Sequence, residues 1–264
     1  MTSEAGKAKK IWRSMLILLF VVLALTPAQA LFAKSHPEKT TVWEYGLTVD
    51  LYNRGIKWTD QTSTLKSLNL MLDLKAKNLS NFLDLNLFAG LGNTSLNGLL
   101  FEHLPRGLDY QGGQISGLIF GVKAGADLFS ASDFIFGATA DFATYLSFNK
   151  TFPIEDLVVN GQAKAEPSWS QASAGIVITY DGFENIQPFI EANLSFLWGQ
   201  FKMTEIIEDL EGAQTINIKN STLMSLTLGW NISLADKISL IPKVRAFPGK
   251  KTIIGAGLSF VYGF

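Results

Sequence analysis

From Trp43 onward, apolar side chains recur on every second residue. Trp43, Tyr45, Leu47, Val49 and Leu51 share one face of the first run, against Glu44, Gly46, Thr48 and Asp50 on the other. A period of two is the geometry of an extended strand with two unlike faces. The pattern returns in Leu68, Leu70, Leu72 and Leu74 against Asn69, Met71, Asp73 and Lys75, and again in Met224, Leu226, Leu228 and Trp230 against Ser225, Thr227 and Gly229. Ten such runs are predicted as strands, at 41–52, 65–76, 82–92, 114–128, 134–148, 169–180, 187–200, 222–234, 238–247 and 252–264. Most are longer than the roughly 9–11 residues that carry a tilted strand across a bilayer.

The connections alternate as well. Segments 77–81, 130–133, 181–186 and 235–237 are short and rich in turn-forming residues, whereas 53–64, 93–113, 149–168 and 201–221 are long. Only PGKK (248–251) breaks the rule. Short turns at one end and long loops at the other give the array two unlike sides, and an even strand count puts both termini on the short-turn side. The long segments, EDLEGAQTINIKN (208–220) among them, are either partner-binding loops or strands prolonged beyond the membrane; the pattern leaves both open.

An antiparallel sandwich in water also alternates, with its apolar face turned to a core. Its other face meets bulk water and is rich in Lys, Glu, Thr and Arg. Here that face carries Gly, Ser, Asn and Thr with scattered charges, which suits a confined lumen. Composition agrees: 47% of the chain is hydrophobic, only 17% is charged, and there are 19 Phe and 23 Gly. Aromatics gather near predicted strand ends, as in membrane-interface girdles. The expected fold is all-β: a closed antiparallel up-and-down transmembrane β-barrel of about ten strands, with eight or twelve as the neighbouring even counts. Closure is required because lipid offers no partner to the N–H and C=O groups of a sheet edge. The tail must therefore pair with the first strand.

Two features fix the expected location. Lys7, Lys9, Lys10 and Arg13 precede the apolar run Met15 to Leu25, and Ala28-Gln29-Ala30 follows with small residues at the cleavage positions. This is the layout of a secretory signal peptide; the run is shorter than the ~20 residues of a transmembrane helix. The expected organisation is a signal peptide at 1–30, a periplasmic segment at 31–40 and a barrel at 41–264. The second feature is the C-terminus GLSFVYGF. With Gly257, Phe260, Tyr262 and Phe264 it resembles the terminal-Phe assembly signal of small bacterial outer-membrane β-barrel proteins. That resemblance implies insertion by the barrel assembly machinery, residence in outer-membrane lipid and a monomeric barrel; it singles out no one family.

The charge balance of −1 gives no basic surface for nucleic acid. The chain has no cysteine, hence no disulfide or thiolate site. Motifs of metal, phosphate or nucleophile chemistry are missing, so neither a metal nor a cofactor is expected. The candidate interior charges are Glu44, Asp73, Asp84, Lys123, Asp127, Asp141, Glu191, Lys243 and Arg245, joined by Asp50 and Lys75 on the same faces. Ile119, Ile135, Phe88, Phe189 and Leu197 interrupt this polar face, either as an apolar pocket or as filler of a narrow bore. The primary expectation is a non-enzymatic barrel with a surface or partner-binding role through its loops. A narrow channel for small polar solutes is the alternative. An enzyme using His103 beside Glu102 and Ser95 is a third reading, on weak grounds, since three common residue types in one loop define no geometry.

Overall fold

A computed structural model describes residues 40–59, 61–79, 83–96, 98–110, 113–154, 160–249 and 251–264. The predicted signal peptide, most of the 31–40 segment and His36 lie outside the described residues. Along the described chain run fourteen strands: β1 (Val42–Trp58), β2 (Gln61–Leu79), β3 (Leu83–Leu96), β4 (Leu99–Phe101), β5 (Leu108–Tyr110), β6 (Ile115–Ala131), β7 (Phe134–Ser147), β8 (Lys150–Pro153), β9 (Gly161–Tyr180), β10 (Ile186–Ile207), β11 (Leu210–Asn220), β12 (Met224–Ala235), β13 (Ile238–Phe247) and β14 (Ile253–Gly263).

Ten of them close a ring in the order β1-β2-β3-β6-β7-β9-β10-β12-β13-β14, every pair antiparallel. The last strand pairs with the first over eight positions, from Glu44↔Gly263 to Leu51↔Ala256. Phe264 adds a hydrogen bond from its N–H to the Trp43 carbonyl at 3.0 Å. No sheet edge in the ring is left to lipid, which is the condition a bilayer imposes.

The pleat then sorts the side chains. Leu47, Leu70, Leu72, Leu91, Phe120, Ile176, Ile190, Leu194, Leu226, Leu228 and Leu258 are all exposed on the outside of the ring, Leu72 at 68%. Their neighbours Thr48, Asn69, Asn193, Ser225 and Thr227 are buried inside. Aromatic pairs stand at the short-turn rim: Tyr45 stacks on Phe264 at 4.8 Å, and Phe134 lies 5.1 Å from Tyr180. A closed ring with an apolar outside and a polar inside is a transmembrane β-barrel of the bacterial outer-membrane type. None of the described residues forms a helix long and apolar enough to cross a membrane; this chain crosses with strands.

At the long-loop end, strands replace most of the irregular segments. β1 and β2 continue as a hairpin until Trp58↔Gln61, and β10 and β11 until Ile207↔Leu210. β8 pairs with the outer half of β9. The 93–113 segment contains the small hairpin β4–β5. Most of these long segments are thus strands prolonged beyond the membrane, and the β1–β2 and β10–β11 ladders continue unbroken from the wall. One further rearrangement has no signal in the pattern. β13 and β14 stop at Phe247 and Ile253, and beyond them β1 bonds directly to β11 through Ile56↔Asn220 and Lys57↔Lys219.

Candidate functional site

Residue number on β1 rises from the short-turn rim to the outer end, so its inward side chains report the bore level by level. Glu44, Thr48 and Asp50 face a cavity of about 420 Å³. Tyr52 and Arg54 stand at its inner end. Ile56 and Trp58 are packed in an apolar core beyond it.

The cavity begins among residues next to the short turns, Lys77, Gln187 and Asn231, and ends at Tyr52, Trp169 and Phe247. All nine predicted interior charges line it, together with Asp50, Lys75 and Lys77. Near the rim, Lys77 pairs with Glu44 at 2.5 Å and Lys75 with Asp84 at 3.3 Å. Asp84 also accepts the Asn78 N–H at 3.0 Å. Asp73 accepts from Thr48 at 2.6 Å and from Asn86 at 2.9 Å. Asp127 lies among these rim groups.

Deeper in, Glu191 is buried and takes Lys123 at 3.2 Å, Thr139 at 2.8 Å and Asn193 at 2.8 Å. Ser173 donates to Asp141. Lys243 and Arg245 follow each other on the inner face of β13, and Arg245 stands over the Tyr52 ring at 6.0 Å. Asp50, Gly257 and Lys243 occupy one row across β1, β14 and β13. A Cβ at Gly257 would sit 2.5 Å from Lys243 Cε and 2.9 Å from Asp50 Oδ1, so glycine there lets the lysine stem and the carboxylate lean over the same gap. Phe88, Ile119 and Phe189 of the interrupting apolar set line this cavity, whereas Leu197 belongs to the outer core. Three direct ion pairs and a web of hydroxyl and amide bonds therefore satisfy most of the charge that the wall encloses.

The inner end of the cavity is an aromatic septum. Tyr52 on β1 stacks on Trp169 on β9 with centroids 5.3 Å apart, and Trp169 stacks on Tyr145 on β7 at 5.7 Å. Phe247 on β13 meets Tyr52 edge-on at 6.2 Å. Arg54, with no exposed surface, ties the layer to the wall. Its guanidinium donates to Gln171 Oε1 at 2.8 Å, Ser195 Oγ at 2.6 Å and the carbonyls of Ser195 and Thr222 at 2.6 and 3.2 Å, and lies 4.7 Å over the Phe247 ring. The Tyr52 hydroxyl donates to the same Gln171. The four hydrogen bonds from this buried cation all go to neutral oxygens.

Above the septum the bore is filled. Leu99 and Phe101 of β4 and Tyr110 of β5 are buried, with Phe101 5.5 Å and Tyr110 4.9 Å from the Phe201 ring of β10. Tyr110 donates its hydroxyl to the Gly113 carbonyl at 2.8 Å, and burial pushes its phenol up from the ordinary value. His103 sits on the exposed turn between β4 and β5, where its backbone N–H donates to Gln214 Oε1 at 2.9 Å. Arg106 donates its backbone N–H to the buried Glu205 carboxylate at 3.0 Å. These bonds tie the small hairpin to the β10–β11 hairpin.

In the run 134–148 Tyr145 shares the inward face of Asp141, but the alternation carries no sign of the septum as a unit. Arg54 falls in 53–64, a long connection in the pattern and so without faces. Trp169 was the first residue of its run, next to another such segment. The cavity ends at Tyr52, Trp169 and Phe247, and buried apolar side chains lie beyond it.

The four residues of the expected assembly signal all lie on β14 and the residue after it. Phe260, Tyr262 and Phe264 point outward and are exposed, and Gly257 points inward.

No family model matches the chain, and no curated protein sequence does. Solved structures that it resembles include the toluene transporter TodX of Pseudomonas putida, at 15% identity over 87% of this chain and 70% of that one, with a TM-score of 0.39. The translocator domain of the autotransporter NalP from Neisseria meningitidis matches at 8% identity over 94% and 96% of the two chains, with a TM-score of 0.44. The outer membrane protease OmpT of Escherichia coli matches at 8% identity over 85% and 96%, with a TM-score of 0.42.

Proposed function

We propose that this protein is a non-enzymatic, non-conducting outer-membrane barrel that works through its outer surface, as a rigid platform for an extracellular partner. One observation carries the reading. The bore is crossed at its full width by stacked aromatic rings and an arginine with four hydrogen bonds, and is packed with apolar side chains beyond them. What remains for function on the outer side is the set of prolonged hairpins β1–β2, β8–β9 and β10–β11. Their continuous ladders hold fixed shapes that can be recognised without an ordering cost. His103 fits a docking role there, through its backbone bond to Gln214. Within the same proposal, residues 1–30 export the chain as a cleaved signal, and the tail from Gly257 to Phe264 is read by the barrel assembly machinery.

Planar-bilayer recording of the purified protein tests the closed bore. The wild type is expected to show no steady openings. The double variant Tyr52→Ala and Trp169→Ala is expected to pass current in bursts, as the septum is thinned. Steady, ohmic conductance of the wild type would replace this reading with the channel for small polar solutes, in which the septum parts in the membrane.

A further inference from the structure

The outer end of the wall carries a charge arrangement that the ion pairs among the described residues do not balance. Lys57 on β1 and Lys219 on β11 are direct cross-strand partners, and both are exposed on the outside of the wall. Like charges placed opposite each other destabilise a strand pair. Lys66 on β2 and Lys251 beside the start of β14 are exposed nearby. The seam draws these elements together: the Ser221 N–H donates to the Gly55 carbonyl at 3.0 Å, and Asn53 Nδ2 donates to the Ile254 carbonyl at 2.8 Å. Ion pairs among the described residues involve none of these four lysines. The outward positions around them on β1, β2 and β11 are Asn53, Gly55, Thr62, Thr64, Thr215 and Asn217, with no carboxylate. Elsewhere at this level the wall does neutralise itself, as Glu166 takes Lys164 at 2.8 Å and Lys202 at 3.5 Å.

The height of the patch identifies its partner. Immediately inward of the lysines the wall turns apolar, with Leu51, Leu68, Met224 and Ile254 all exposed. Trp198, an interfacial ring type, is the cross-strand partner of Lys219. The lysines therefore sit at the boundary between hydrocarbon and headgroups on the outer side, where their stems lie along the apolar wall and their ammonium groups meet the headgroup layer.

We propose that Lys57, Lys219, Lys66 and Lys251 form a binding site for the phosphate groups of an anionic lipid headgroup in the outer leaflet, with the acyl chains lying on the exposed leucines below. A phosphate bridging Lys57 and Lys219 converts their repulsion into two charge-assisted hydrogen bonds. The site stands apart from the bore, so it holds whether or not the septum conducts.

The test uses the barrel purified in a neutral sugar detergent and titrated with diphosphoryl lipid A, read by native mass spectrometry. Each lysine near an anionic headgroup layer is worth about fivefold in affinity, so Lys57→Gln with Lys219→Gln should weaken binding about thirtyfold. The pair Lys164→Gln with Lys202→Gln should leave it unchanged. Folding of every variant is checked by heat-modifiable gel mobility. The thermal midpoint supplies a second arm: Lys219→Gln alone should raise it without lipid, by relieving the repulsion, and lower it with lipid A present. Undiminished lipid binding by the Lys57/Lys219 double variant, or no reversal of sign in the midpoint, would overturn the proposal. So would equal binding of phosphatidylcholine. If inorganic phosphate alone reproduces the stabilisation, the patch is a free-anion site and the lipid assignment fails.

Discussion

The ring of Tyr52 lies 5.3 Å from that of Trp169, within 12° of parallel, although the two strands that carry them stand five places apart in either direction round a ten-strand ring. Two side chains thus make a contact across the ring. Offset-stacked rings in a buried site are worth about 0.5–1.5 kcal/mol beyond the area they bury. A double-mutant cycle with Tyr52→Leu and Trp169→Leu, read by urea unfolding from lipid vesicles, should return a coupling of that size. A coupling near zero would mean that the rings share space without holding each other, and the septum would lose its central joint.

Arg54 is the second fastening of that layer. Replacing it by alanine takes the guanidinium donor from Ser195 and the Thr222 carbonyl, leaves Gln171 with Tyr52, and opens a hole against Phe247. The expected loss is about 1–3 kcal/mol, the cost of leaving neutral buried acceptors unsatisfied, with the cavity adding to it. Lys in its place keeps the charge but not the planar fork, and should recover only part of the stability. Urea midpoints of Arg54→Ala and Arg54→Lys make the comparison.

Adjacent residues on β12 separate lipid from lumen. Leu226 is exposed on the outside and Thr227 is 3% exposed inside, directly across the strand pair from Glu191. Leu226→Arg should cost about 2–4 kcal/mol of folding free energy in vesicles, the penalty of an arginine facing mid-bilayer lipid. Thr227→Arg enters a polar cavity beside a carboxylate and should still insert. Equal failure of both variants would contradict the assignment of faces.

Gly257 is matched to Lys243. A methyl group at this position meets the lysine stem at 2.5 Å, and that stem must swing away from Asp50. Gly257→Ala should destabilise by about 1 kcal/mol, at the low end for overpacking because the obstruction is a flexible chain. In a Lys243→Ala background the same change should cost less, with only the 2.9 Å approach to Asp50 Oδ1 left. If the full penalty survives, the lysine stem is not what the glycine makes room for.

The outer hairpin should weaken in alkali. Burial raises the Tyr110 phenol, so between the ordinary tyrosine value, about 10, and its higher folded value the unfolded segment releases a proton that the folded one keeps. Stability of the 98–110 hairpin is therefore constant below about pH 10 and falls as the pH rises past it. Limited proteolysis of this segment should accelerate above that pH in the wild type, and less steeply in Tyr110→Phe.

The alternation of apolar and polar residues was enough to determine the barrel. Ten runs, their outward stripes, the pairing of the tail with the first strand and the inward direction of Glu44, Asp141, Glu191 and Lys243 all follow from a period of two and the demand that no backbone group face lipid unpaired. Those are local rules, and a residue obeys them whatever stands across the bore. The plug obeys a different one. Arg54, Tyr52, Trp169 and Phe247 meet because closure of the ring brings β1, β9 and β13 round one narrow space, and such distances are set by strand number and stagger rather than by neighbours in the chain. The meeting of Lys57 and Lys219 arises in the same way, where β13 and β14 end and β1 crosses to β11. Which residues line the inside was written in the sequence. Whether that inside is open, and which charges face each other on its outer rim, was decided only when the sheet closed.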